Sequence, residues 1–331
     1  MFLGVECAQT ALPETGVQSA ARPFERCSAM TDTLVSVALL LIMPPLLLGV
    51  ITKTKAWFGG RVGPPLLQSY YDILKLLRKG MVISRTTTWV FPLGPVVTLA
   101  AVFLAGLLMP LGPFSAPLGF TGDLILFAYL FALARFFTTA AALDTGSPFE
   151  GMGAAREVTF ACLTEPTLFF ALLVLARISG SLSLSGLLHG PAQGFSPVLA
   201  APLILVAIGL FVVLLAENCR IPVDDPTTHL ELTMIHEVMV LDHSGPLFGV
   251  ILYSAAMKLF ILGALLLHLV FPFHTGLAWA DWSLFAAQML GLAVVVGVVE
   301  SVRARLPMVH VPYLLLAAML SCGFGLLLLV R

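Results

Sequence analysis

Eight stretches of about 20 mostly apolar residues decide what this chain can become. They run at about 34–52, 91–109, 122–143, 157–177, 197–217, 246–270, 282–300 and 309–330. At about 1.5 Å of rise per residue, each is long enough to cross the hydrocarbon core of a bilayer as a helix. Lipid offers no partner for backbone N–H and C=O groups, so a separate span must be helical. Composition agrees: 59% of residues are hydrophobic and 11% charged, against about 25% charged in a soluble domain. The predicted fold is an all-α polytopic membrane protein. Pro44 and Pro45 are expected to kink the first span, because neither has an N–H to donate.

Basic residues orient the spans. Connector 53–85 holds Lys53, Lys55, Arg61, Lys75, Arg78, Lys79 and Arg85, and the later connectors on that side add Arg156, Arg220, Arg303 and Arg305. The opposite connectors carry only Arg177, at a span end. The predicted protein is therefore multi-pass in the cell's inner (cytoplasmic) membrane. Connectors after spans one, three, five and seven face the cytoplasm, and both termini face out. Residues 1–30 read as a disordered extension or a misplaced start, and 31–331 as one membrane domain.

Connector 62–79 is too short and too charged to span. Leu66, Leu67, Tyr70, Ile73, Leu74 and Leu77 recur at three and four, with Gln68, Asp72, Lys75, Arg78 and Lys79 opposite. That pattern predicts an amphipathic helix lying in the interface after the first span.

Ionisable groups inside spans are costly and usually functional. Arg135 and Glu165 each fall roughly 12 Å deep, and Lys258 roughly 18 Å. Groups of both signs at similar depth predict a mutually neutralising set. Glu157, Glu217 and Glu300 stand at the basic-side ends of spans. Asp123 stands at the opposite end of span three and His268 near that of span six; Asp123 and Glu300, close to interfaces, are expected to reach water.

The longest polar stretch between spans is 216–245, with Glu217, Asp224, Asp225, Glu231, Glu237 and Asp242 and three of the seven histidines. Asp225-Pro226 reads as a helix start, with aspartate as N-cap and proline in the first turn. A helix from there would put His229, His236 and His243 on nearly one face. No metal site is expected, since zinc motifs space histidines more closely and His236-Glu237 lacks the later histidine of HExxH. The expected role of that face is packing against a partner subunit.

The five cysteines show no CxxC spacing, which argues against an iron–sulfur or zinc site. No nucleophile elbow, P-loop or dinucleotide fingerprint occurs, and Gly151-Met152-Gly153 reads as a turn between spans three and four. No catalytic residue is assigned and no internal repeat is visible. The net charge of −1 gives no sign of nucleic-acid binding.

AENCRIPVDDPTTHLELTMIHE resembles the signature loop of the subunit 1 family of respiratory complex I, the NADH-quinone oxidoreductase. The matching residues are Ala216, Glu217, Arg220, Pro222, Asp224, Pro226, Glu231 and Leu232. Gly60-Arg61-Val62-Gly63-Pro64 is similar to the family's Arg-Val-Gly-Pro ahead of its amphipathic helix. Cys219 and Thr227 depart from the complex I pattern, and 146–166 looks like the branch of formate hydrogenlyase subunit 4 and hydrogenase-4 component C.

The resemblance implies a membrane anchor and coupling subunit of a nickel–iron hydrogenase complex. Hydrogenase large and small subunits would dock on the cytoplasmic face, and an antiporter-like subunit would lie beside it in the membrane. Glu157, Glu165, Glu217, Asp224, Glu231 and Glu237 would relay charge, with Arg135 and Lys258 as countercharges. Arg61, Asp72, Lys75, Arg156, Arg220, Asp225, His229 and His236 would meet the docked subunits. The nickel–iron centre and iron–sulfur clusters would belong to those partners, with no cofactor in this chain. One alternative is the complex I counterpart, lining the quinone site of an NADH-quinone oxidoreductase; another is a stand-alone secondary transporter.

Overall fold

A computed structural model describes residues 23–112, 114–189, 197–224, 234–272 and 275–330, with side chains described from residue 31 except at 189, 197, 198 and 330. The expected extension before residue 23, and Asp225, His229 and Glu231, lie outside the described residues. Among the described residues ten α-helices form: α1 (Pro23–Phe58), α2 (Gln68–Leu77), α3 (Val90–Leu108), α4 (Asp123–Asp144), α5 (Pro148–Ser179), α6 (Leu184–His189), α7 (Pro197–Glu217), α8 (Gly245–Val270), α9 (Ala278–Val302) and α10 (Val311–Val330). Eight of them, all but α2 and α6, are long and apolar enough to cross a membrane. Among the described residues there is no strand.

Helix α8 is the centre of the bundle: 67% of its most apolar stretch is buried, against 50% or less in each of the other seven. Around it stand α3, α1, α2, α7 and α9. A second layer packs α4 on α3 and α10 on α5 and α7. Bundle helices approach closely through small residues. A Cβ on Gly94 of α3 would lie 2.8 Å from Ala141 Cβ on α4, and one on Gly209 of α7 would lie 2.3 Å from Cys322 Sγ on α10.

Helix α1 continues through Pro44 and Pro45 without a break in the helix. Pro45 leaves the Leu41 carbonyl, four residues back, without its helical donor. The hydroxyl of Tyr253 on α8 donates to that carbonyl at 2.8 Å, and the hydroxyl of Tyr70 on α2 donates to the Ile42 carbonyl. Two aromatic hydroxyls from other helices thus supply donors where the prolines weaken the ladder.

The amphipathic helix forms as α2, with Ile73 buried against α8 and Leu66, Leu67, Leu74 and Leu77 on the outside.

Two expectations fail. Gly151 to Gly153 do not form a turn, because α5 begins at Pro148 and includes them. Ser147 precedes Pro148, and proline is pre-organised for a first helical turn. A Cβ on Gly153 would lie 2.3 Å from Val238 Cγ1 and 3.0 Å from the Ile235 carbonyl. That glycine is there for close passage of the 234–240 segment, not for a bend.

The second failure is the long histidine-bearing helix. Residues 234–244 hold only a four-residue 3-10 turn, Glu237–Val240, before α8 starts. His236 and His243 therefore share no helix face. The local reason is that Asp224 and Glu150 take this segment's N–H groups. Asp224 Oδ2 accepts from Ile235 N at 2.9 Å, and Glu150 Oε1 accepts from Asp242 N at 2.9 Å.

His243 instead packs into the fold, stacked on Phe91 with ring centroids 4.0 Å apart. Burial pushes its pKa from 6.5 down to about 4. A group held neutral in this way contributes stability above its unfolded pKa and loses it as pH falls through the folded one. The protein in detergent is expected to lose on the order of 3 kcal/mol through this group between pH 6.5 and 4. Thermal melts across that range should show a smaller acid loss for His243→Phe. An equal loss in both proteins would remove His243 as the cause.

Candidate functional site: a buried ion cluster between three cavities

The charges that the spans carry meet. Arg135, midway along α4, gives each of its three guanidinium nitrogens to a different carboxylate. Nε lies 3.2 Å from Glu157 Oε1, and the two terminal nitrogens contact Glu165 Oε1 and Glu217 Oε1. The fork geometry of arginine makes this three-way grip possible. Lys258 Nζ on α8 takes the other oxygen of Glu217 at 2.6 Å, and Thr164 Oγ1 donates to Glu217 Oε1 at 2.9 Å. His236 Nδ1 lies 3.3 Å from Glu157 Oε2.

Helical spacing explains the roles along α5. Seven residues bring Thr164 back to the face of Glu157, whereas Glu165 is rotated a further ~100°. Glu165 accordingly leaves 48% of its side chain exposed on the outside of the bundle, against 8% for Glu217.

Five of the expected relay residues, Arg135, Glu157, Glu165, Glu217 and Lys258, therefore form one cluster. Asp224 sits beside it, paired with Arg305 Nη2 at 2.9 Å and holding the backbone of the His236 segment. Glu237 lines a cavity next to His236 rather than the cluster itself.

The residues expected at a docking surface divide. Arg61, Asp72 and Lys75 are exposed on the side that carries the basic connectors. Arg156 is half-buried, its Nη1 donating to the Met234 carbonyl at 2.8 Å. Arg220 lies 3.4 Å from the buried Glu300, which also holds Lys55 at 2.9 Å. His236 faces Glu157.

Sequence reasoning did not single out Thr164, Lys55 or Arg305 as partners. The signal for Thr164 was its seven-residue spacing from Glu157; for the other two, nothing local announces the pairing. Asp123 is fully buried and accepts from Leu184 N at 2.6 Å and from the Ser183 hydroxyl, so it fixes the start of α6. Among the described residues no group of histidine, cysteine and carboxylate side chains could hold a metal ion.

Among the described residues several cavities adjoin the cluster, and three of them bear on its chemistry. A loop-side cavity of about 360 Å³ lies between α1, α2, α8 and the 218–220 and 236–240 segments. A small inner chamber of about 70 Å³ is lined by Arg135, Glu157, Glu217 and Lys258. A lateral cavity of about 520 Å³ opens between α4 and α5, with Glu165 and Tyr129 in its wall.

Eight spans, an amphipathic helix after the first and acidic residues converging beneath a polar loop narrow the comparison. The pattern of the NADH dehydrogenase family matches residues 31–331. The chain belongs to that family. Within the NADH dehydrogenase family it is 33% identical to formate hydrogenlyase subunit 4 of Escherichia coli over 81% of this chain and 84% of that protein. It is 34% identical to hydrogenase-4 component C of the same organism, over 72% and 75% of the two chains. A subunit of the NADH-quinone oxidoreductase of Rubrobacter xylanophilus is 27% identical over 62% and 61%. The fold matches a chain of the membrane-bound sulfane sulfur reductase, an archaeal respiratory membrane complex, with a TM-score of 0.78 at 22% identity, covering 91% of this chain and 99% of that one.

Proposed function

We propose that this chain is the membrane anchor and coupling subunit of a multi-subunit, membrane-bound nickel–iron hydrogenase or formate hydrogenlyase-like complex. The observation that carries the reading is the three-carboxylate cluster on Arg135, set in a family member whose relatives at 33% and 34% identity are named for such complexes. Burying each ion costs several kcal/mol. A set this large, bordered by cavities, is more than helix register requires, and intramembrane charge usually marks an ion path.

In this reading the basic side faces the cytoplasm across the inner membrane. Hydrogenase large and small subunits dock there over exposed Arg61, Asp72 and Lys75 and hold the nickel–iron centre and iron–sulfur clusters. An antiporter-like membrane subunit covers the α4–α5 face, where Glu165 stands half-exposed at span depth. Redox-driven movement of the docked arm reaches the loop with Asp224, Glu231 and Glu237. The loop shifts the Glu157–Arg135–Glu217 set, and a proton or sodium ion moves.

The test is isolation of the tagged chain in mild detergent, with mass spectrometry and metal analysis of what accompanies it. A nickel-containing large subunit is expected. A second reading, the quinone-lining subunit of an NADH-quinone oxidoreductase, draws on the loop-side cavity. Leu48, Phe248 and Leu252 suit an apolar tail there, and Lys55 and Arg220 a polar head. A nickel-free complex with flavin- and NADH-handling subunits would favour that reading and overturn the first.

A further inference from the structure

We propose that His236 is the proton-exchange site of the cluster, passing protons between the loop-side cavity and the inner chamber. Among the described residues it is the one titratable side chain that lines both spaces. The other walls they share come from Asn218, Val240, Ile251 and Ala255, none of which titrates. The assignment rests on the coupling role proposed above and gives that role its entry point.

Charge stoichiometry explains why a histidine stands here. Three carboxylates, Glu157, Glu165 and Glu217, share two permanent cations, Arg135 and Lys258. One negative charge is left over in a low-dielectric site, and a proton on His236 balances it. The groups facing the imidazole from the inner side are Arg135 on α4, Glu157 on α5, Glu217 at the end of α7 and Lys258 on α8, with Cys219, just beyond α7, on the loop side. Across the loop-side cavity stand Lys55, Arg220 and Glu237. Burial opposes the imidazolium, but the charge and hydrogen bonding of Glu157 raise the histidine pKa well above its ordinary value. Burial also pushes the Cys219 thiol up.

The transfer balances simply. The imidazolium gives its proton to Glu157 Oε2, 3.3 Å from Nδ1. That leaves Nε2–H and a bare Nδ1, so the neutral ring turns over to present Nδ1 to the loop-side cavity and takes a replacement proton there from water, at a rim that includes the exposed Thr52. Arg135 joins the inner chamber to the lateral cavity, because it and Glu217 line both. A proton received on Glu157 thereby unbalances the set that reaches Glu165.

The test uses the whole complex in liposomes, turning over hydrogen with a viologen dye, with proton movement read by a pH-sensitive fluorophore. His236→Gln keeps a hydrogen-bonding side chain and cannot carry the charge; His236→Ala leaves space for a free ring. Both are expected to cut the rate of coupled proton movement by about 100-fold. Imidazole in the buffer should restore the His236→Ala complex and leave His236→Gln unchanged. Wild-type proton movement should fall as pH rises through the raised histidine pKa, and His236→Gln should show no such fall.

Wild-type rates and pH profile in His236→Gln would overturn the proposal and leave the coupling role standing. Failure of both variants to assemble would also overturn it, making His236 a strut for the loop. A wild-type complex that turns over hydrogen and moves no protons would remove the coupling role itself.

Discussion

Arg135→Leu is expected to abolish accumulation of the folded chain in the membrane. The leucine keeps an apolar helix and removes the partner of three carboxylates at once. Leaving one buried charge unpaired costs about 3–5 kcal/mol, and Glu157 and Glu217 both lose their guanidinium contact. Whole-domain stability is commonly only about 5–15 kcal/mol, so this single loss takes much of it. Arg135→Lys tests the geometry rather than the charge. An ammonium is a point charge and cannot reach three carboxylates on α5 and α7 as a rigid fork does. The lysine variant is expected to fold with a lowered melting temperature in detergent. Normal yield and melting for the leucine variant would mean that the cluster does not hold α4, α5 and α7 together.

Glu217→Gln should be nearly as damaging, for the converse reason. The amide strands Lys258, whose ammonium lies 2.6 Å from Glu217 Oε2 in the middle of the most enclosed helix. The expected cost is again about 3–5 kcal/mol. The informative variant is the double one. Glu217→Gln with Lys258→Met removes both charges and replaces the ammonium with a side chain suited to an apolar core. It should be less destabilised than the sum of the two single variants by about 1–3 kcal/mol, a coupling typical of directly paired residues. Thermal unfolding of the four proteins gives the cycle. Additive effects, within about 0.5 kcal/mol, would show that the two groups do not share their charge.

Both predictions depend on knowing which charge meets which, and here sequence and structure divide. Hydropathy is a local sum, so the eight spans are written directly in consecutive residues. Most observed ends fall close to the expected ones, but α1 runs on through Lys53 and Lys55 to Phe58 and α5 starts at Pro148 instead of near 157, because a helix can carry charge past the apolar run. The amphipathic helix was legible for the same reason, because one turn of helix relates residues only three or four apart. Depth was legible too, since rise per residue converts position into distance, and Arg135, Glu165 and Lys258 do lie in one set.

The sequence alone thus determined a polytopic helical bundle, its order of spans and the presence of charge inside it. Only the tertiary structure decided the partners: Glu217 with Arg135 and Lys258, Glu300 with Lys55 and Arg220, Asp224 with Arg305. It also turned His236 inward to Glu157, placed His243 on Phe91, and made Gly153 a point of close passage. Each of these depends on how helices far apart in the chain are rotated and crossed against one another. No local period carries that information, because it is fixed by packing of side chains that meet only once the bundle has formed.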